Sequence, residues 1–244
     1  MLKEGSVIND EFDLLLKRVR SRNGHPHDIT KEIRLTVTNI ICTLVFGSRY
    51  ELDDPEFTKF MEINDTIVSM LAAGSIVDVF PWLSFIPFKS LQKLKEKCRE
   101  RDDLIGRIYQ EHAEANRVAN PQDLTDALLK AKKEAEDEDS SIKGFLTDEN
   151  LIITMGEILI AGMETTASTL CWALLYLLNY PEVQQKLHQE LDQVIGPERL
   201  PELRDKKNLP YLEAPSLRHV YCGYPLGSGN SSYKAAHEWL TTLD

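Results

Sequence analysis

The sequence has little of what would mark a secreted, metal-stapled or nucleic-acid-binding chain. Cysteine occurs four times in 244 residues, as Cys42, Cys98, Cys171 and Cys222, far apart and in no ligand spacing. With no CxxC and no HExxH, a structural zinc site is not expected, and free thiols in a reducing compartment are. Basic residues are outnumbered, 28 against 39 acidic, for a formal charge of −11. An acidic surface repels phosphate, which argues against nucleic acid as a partner. The opening residues MLKEGSVINDEF contain no apolar signal or anchor segment. Strand-like alternation is scarce, so the expected fold is mainly α.

What is present is helical periodicity, almost unbroken to residue 214. From Gly5 to Arg20, Val7, Ile8, Phe12, Leu15, Leu16 and Val19 form one stripe. Thr30 reads as the N-cap of a second helix, Lys31 to Phe46, stopped by Gly47; its run TVTNIICTLVF also suits a strand. Asp54-Pro55 opens a third helix, with Phe57, Phe60, Met61, Asn64, Ile67, Val68 and Leu71 on one side. The apolar stretch from Ser75 to Phe88, with Trp82 and Phe85, is interrupted by Pro81 and Pro87. A long charged helix follows from Ser90 to about Ala119, in which Arg101, within RERDD, reads as a surface charge. Pro121 starts a shorter helix to about Lys133, and KKEAEDEDSS reads as a solvated loop.

The last long helix is unusual. Thr147 can cap it, Asp148 and Glu149 suit the positive end of its dipole, and Pro181 ends it after Asn179. At 1.5 Å per residue it spans roughly 45 Å. Between Leu151 and Leu178 its only charges are Glu157 and Glu164. A helix apolar all round is buried in a large core or crosses a bilayer. The two carboxylates, expensive at mid-membrane, and the lack of a flanking basic cluster favour the core. Glu157, Ala161, Glu164 and Thr165, at offsets 0, 4, 7 and 8, share a face. A buried acid beside a hydroxyl and the small pair Ala161-Gly162 suits proton handling near a ligand, and such a site often kinks a helix. A plain helix crossing with a satisfied glutamate would look the same in isolation.

The segment AGMETT, Ala161 to Thr166, with WALLYLLNYPEVQQKLHQELD after it and LPYLEA at Leu209 to Ala214, resembles the cytochrome P-450 superfamily of haem-thiolate monooxygenases. FGSRYELDDPEF, IVDVFPWLSFIPFKSLQKLK and MGEILIAGMETT are most similar to its steroid 17-alpha-hydroxylase/17,20-lyase branch; the 21-hydroxylase and xenobiotic-oxidising branches remain alternatives. The resemblance implies the central helical part of that fold over 1–214, haem b, O2, and NADPH-derived electrons from a reductase, with cytochrome b5 as a further partner. It also implies a steroid substrate and the cytoplasmic face of the endoplasmic reticulum membrane. Thr165 would hydrogen-bond dioxygen at the haem and Glu164 would help deliver protons for O–O cleavage. Ala161, Gly162, Thr165 and Thr166 would line the cofactor groove, and Asn64, Arg101, Glu157 and Ala161 the substrate pocket. Glu157 stands where the branch usually has aspartate.

The resemblance stops at Ala214. Three places after Glu213, where the family has arginine, stands Ser216, and Pro215 would break the helix. Around Cys222 the haem-loop positions for Phe, Gly and Arg hold Pro215, Arg218 and Val220. Residues 215–244 therefore read as a divergent tail, unstructured or mis-joined. The chain is expected to lack the haem-ligand loop and most of the family's β-sheet, to expose a helix face meant for burial, and to be inactive by itself, with a non-catalytic truncated isoform as the alternative reading.

Overall fold

The computed structural model describes residues 4–72, 88–115, 117–197 and 199–212, and among these there is no strand. Among the described residues, seven α-helices carry the fold: α1 (Glu4–Ser21), α2 (Thr30–Phe46), α3 (Pro55–Ala72), α4 (Lys89–Ala115), α5 (Leu124–Asp137), α6 (Asp148–Asn179) and α7 (Pro181–Val194). Short 3₁₀ turns occupy Arg117–Ala119 and Leu203–Asn208. The stretch with Trp82 and Phe85 and the tail with Cys222 lie outside the described residues.

The buried hydrophobic side chains of α6 fall at every fourth position: Leu151, Met155, Leu159, Met163, Ala167, Cys171 and Leu175, with Gly156 and Ser168 buried beside them. Because a helix turns every 3.6 residues, a four-residue spacing slants the stripe around the cylinder along a ridge suited to crossing another helix. Its first half packs with Cys42, Val45 and Phe46 of α2 and Ile105 and Tyr109 of α4. Further along, Ala167 and Cys171 meet Ile33 and Val37 at the start of α2. Thus α2 and α6 run antiparallel, and Gly162 lets them close: a Cβ there would stand 3.1 Å from Ile41 Cδ1. A separate cluster of Ile63, Ile67 and Leu104 fastens α3 to α4.

α6 starts as its sequence predicts, the Thr147 hydroxyl accepting from Asn150 N. It stays α-helical through Ala161-Gly162, where Gly162 serves the close packing against α2 and Ala161 is exposed. By length and composition α6 could also cross a membrane, with a mean hydropathy of 1.5 in its most apolar window. Its opposite side is bare, with Ile153, Ile158, Leu170, Leu174 and Leu178 exposed.

Several sequence expectations need correction. α1 buries Val7 and Leu15 but exposes Ile8 and Phe12, while Glu11 is buried because Arg49 Nε donates to its Oε1 at 2.9 Å. Thr30 is the first helical residue of α2, whose N-cap is Ile29 without a side-chain cap bond, and Asp28 accepts from Thr30 N. Leu71 is exposed at the end of α3. α5 starts at Leu124 rather than Pro121, because the Asp123 side chain caps it by accepting from Asp126 N. Most of KKEAEDEDSS is helical: Ala135 is buried, and Lys130–Glu134 and Lys132–Glu136 pair one turn apart.

The turn at Leu203–Asn208 closes on a bidentate pair, Arg199 to Asp205 at 2.6 and 2.7 Å. Arg199 and the N–H of Glu202 hold the Asp205 carboxyl down at about 2. A lowered native value means the pair's contribution is complete above the unfolded carboxylate value of about 3.9 and is lost as pH falls toward about 2. Carboxyl-carbon NMR is expected to show Asp205 titrating near the lower value, and in Arg199→Ala moving toward the upper one. An unmoved titration would remove Arg199 as the cause.

Candidate functional site

The exposed side of α6 carries a ridge of small and polar residues, Glu157, Ala161, Thr165 and Thr169, each one turn from the next and each exposed. Thr166 lies on the neighbouring exposed ridge. The Thr165 hydroxyl donates to Ala161 O at 2.6 Å, and the Thr169 hydroxyl to Thr165 O at 2.8 Å. With its proton directed back into the helix, the Thr165 oxygen offers its remaining lone pairs outward.

Glu164 does not share that outward direction. Its side chain is only 13% exposed and turns to the edge between α2 and α3. There Asn64 Nδ2 donates to Glu164 Oε2 at 3.5 Å, and Arg34 Nη2 stands 3.7 Å from the same oxygen. Arg34 also forks onto Asp65, with Nη1 donating to Oδ2 at 3.1 Å and Nη2 bonded to Oδ1. The glutamate is therefore a tethered carboxylate within an Asp65–Arg34–Glu164–Asn64 network. Asn64 is 2% exposed, and its Oδ1 is buried without a partner, an acceptor available to a donor that the described residues do not supply.

The structure thus brings Asn64 to Glu164 and keeps Glu157, Ala161 and Thr165 on one ridge. It places Gly162 in the contact with α2 rather than on that ridge. Arg101 is buried, not a surface charge. Its guanidinium lies on the bare backbone of Gly156, where a Cβ would come within 2.8 Å of Nε, and it donates twice to Asp102. Arg34 and Asp65 were not foreseen as part of the site. One signal was available: Arg34 is the only charge between Ile33 and Phe46, and a lone cation in an apolar run wants a buried partner.

The ridge and its apolar flanks form one small-residue wall suited to a flat apolar group. Among the described residues, no thiol stands on that wall. Among the described cysteines, Cys42 and Cys171 are buried, and burial pushes their thiols up to about 12 and about 11. Cys98, on α4, is also raised by burial. These residues fit one face of a haem but do not hold its iron.

Comparison with known proteins bears on the family and the fold. The sequence profile described as Cytochrome P450 matches residues 3–215. The steroid 17-alpha-hydroxylase/17,20 lyase of Gallus gallus is 45% identical over 220 residues, covering 88% of this chain and 43% of that protein. The enzyme of the same name from Homo sapiens is 35% identical over 220 residues, with 88% and 42% covered. A solved structure described as zebra fish cytochrome P450 with progesterone superposes with a TM-score of 0.76 at 32% identity, covering 90% of this chain and 48% of that one. The chain spans less than half the length of the curated relatives it matches. An apolar helix that packs on one side and bares a threonine ridge on the other, with the profile running almost from the first residue through that helix, leaves one assignment: this chain belongs to the cytochrome P450 family.

Proposed function

We propose that this chain is the oxygen-side helical segment of a steroid 17-alpha-monooxygenase (17,20-lyase). The observation that carries the reading is the pairing of an outward Thr165 hydroxyl with a Glu164 carboxylate tethered by Arg34 and Asn64. Haem, when held by a thiolate from outside this helical segment, would supply the oxidising chemistry, with O2 and NADPH-derived electrons delivered by a reductase and cytochrome b5 as a further proposed partner. The residues of this chain position and move protons. Thr165 accepts and relays at the wall of α6, and Glu164 serves as the carboxylate that exchanges protons behind it. Ala161 leaves room on the wall, and Thr166 borders it.

Asn64, Glu157, Ala161 and Arg101 are proposed to face a steroid. The unpartnered Asn64 Oδ1 suits a steroid hydroxyl, and the amide's N–H₂ suits a ketone. The similarity to proteins named for steroid oxidation, and to a structure with progesterone, supports that substrate class. Residues 1–214 are proposed as part of one cytochrome P450 unit and 215–244 as a divergent tail; the end of the profile match at 215 supports this division. The endoplasmic reticulum membrane, cytoplasmic face, is proposed on the similarity to these relatives. A second reading, a non-catalytic isoform, is favoured by one sequence observation, the altered positions around Cys222.

The test is Thr165→Ala in the complete, haem-loaded protein containing this segment. NADPH oxidation is expected to continue while hydroxylated steroid per NADPH falls by about 10²-fold, the usual size of a lost general acid–base contribution. Unchanged coupling would refute the role given to Thr165.

A further inference from the structure

Away from the α6 ridge, the end of α4 and the start of α5 bring together His112, Asp123 and Asp126, each offering a ligand atom within 4.8 Å of the others. We propose that this cluster is a binding site for a divalent transition-metal ion of the zinc or cobalt(II) type. None of its three residues belongs to the α6 ridge or to the Asp65–Arg34–Glu164–Asn64 network.

The argument begins with the imidazole. His112 Nδ1 lies 2.9 Å from Ile108 O, and a carbonyl can only accept, so Nδ1 carries a proton. Its Nε2 then faces Asp123 Oδ2 at 3.0 Å. Two lone pairs do not sit at that distance unaided: either a second proton or a cation lies between them. Asp126 distinguishes the two. Its Oδ2 accepts from Gln122 N at 3.0 Å, but Oδ1 is buried without a partner in a residue only 1% exposed. A proton shared by His112 and Asp123 leaves that oxygen unsatisfied, at the usual cost of a buried acceptor. A cation among the three groups would partner His112 Nε2 and Asp123 Oδ2 and lie within reach of the Asp126 carboxylate.

The surroundings have the form of a metal site. Ligands about 2.1 Å from one ion stand about 3.0–3.4 Å apart, and the His112–Asp123 separation already falls in that interval. The Nδ1–H bond to a backbone carbonyl fixes the tautomer and orients the ring, as metal-bound histidines require. Asp123 is held by its second oxygen, which accepts from Asp126 N. A cavity of about 320 Å³ lined by His112, Arg117, Asp126, Lys132 and Glu136 opens beside the cluster, giving an entry path and room for water ligands. Of the cations lining this cavity, Arg117, Lys132 and Lys133, Lys132 is drawn off by Asp148 at 2.6 Å. One nitrogen and two carboxylates form a donor set for zinc, cobalt(II) or manganese(II), not for calcium, which takes oxygen only.

The experiment titrates the full chain, first stripped with a chelator, with zinc against a chromophoric competitor, and repeats it with cobalt(II) by visible absorption. One saturable equivalent is expected. His112→Gln and Asp126→Asn should each weaken it about tenfold or more, while His25→Gln and His188→Gln leave it unchanged. Asp126→Asn keeps an oxygen for Gln122 N, and circular dichroism confirms that each variant is folded. If His112→Gln does not fold, Asp126→Asn alone decides. No saturable binding, or binding equal in parent and Asp126→Asn (an adventitious ion only), overturns the proposal.

Discussion

The 244-residue chain, reconstituted with haem, reduced and exposed to carbon monoxide, is expected to give no thiolate-type absorption spectrum. Thiolate ligation needs a cysteine that is deprotonated and points at the haem. On the packed side of α6, Cys171 faces Ile33 and Val37, away from the bare ridge that would meet the cofactor. Cys42 is 1% exposed, inside the core against α4 and α6. Desolvation raises both thiols, to about 11 and about 12, so neither offers a thiolate at neutral pH, and Cys98 is shifted the same way on the charged helix α4. Cys222 has none of the Phe, Gly and Arg neighbours of the haem loop. A protein joining residues 1–214 to a cysteine loop of the family pattern is expected to give the spectrum. A thiolate spectrum from the chain as written would show that one of these four cysteines reaches iron, and would undo the account of the α6 wall.

The second large effect concerns Asn39, which has no exposed surface. Its amide pairs twice with one backbone residue: Nδ2 donates to Tyr50 O and Oδ1 accepts from Tyr50 N, both at 2.8 Å. Nδ2 also lies 3.4 Å from Glu11 Oε2. One side chain of α2 therefore ties down the segment after it and the buried carboxylate of α1. Leucine has nearly the same size but leaves both Tyr50 groups without partners. At about 1–3 kcal/mol for each stranded group, Asn39→Leu is expected to cost about 2–6 kcal/mol. That is a large share of the ~5–15 kcal/mol that holds a domain together. Asn39→Asp should be at least as damaging, because a carboxylate cannot donate to Tyr50 O and stands beside Glu11. Denaturant midpoints measure both. A loss below about 1 kcal/mol in Asn39→Leu would mean that water replaces the amide and that the tie is not structural.

Much of the helical order was legible because helix periodicity and capping are local. Thr147, Gly47 and Pro181 act within a few residues of themselves, and the structure places α2, α6 and α7 accordingly. Local reasoning failed where a distant group changed the outcome. Glu11 is buried, against its charge, because Arg49 and Asn39 meet it from elsewhere in the chain. Arg101 sits inside because Gly156, more than fifty residues later, leaves a bare backbone for its guanidinium. KKEAEDEDSS is mostly helical because Ala135 packs while its charges pair along the exposed side.

For the site, the sequence by itself determined which residues are present and that they come from one machine: AGMETT on a helix with almost no other charge, in a chain of the cytochrome P450 family. It also determined that Glu157, Ala161, Glu164 and Thr165 lie on the same half of that helix. Only the tertiary structure decided that Glu164 turns aside from the other three. Periodicity assigns an angle around the helix axis, and at the edge of a face that angle is compatible with either direction. The choice falls to what crosses there, and at Glu164 it is α2 with Arg34 and α3 with Asn64. A carboxylate beside a cation and an amide is better satisfied than one aimed at an apolar cofactor face, so the acid is held behind the ridge and Thr165 stands on it.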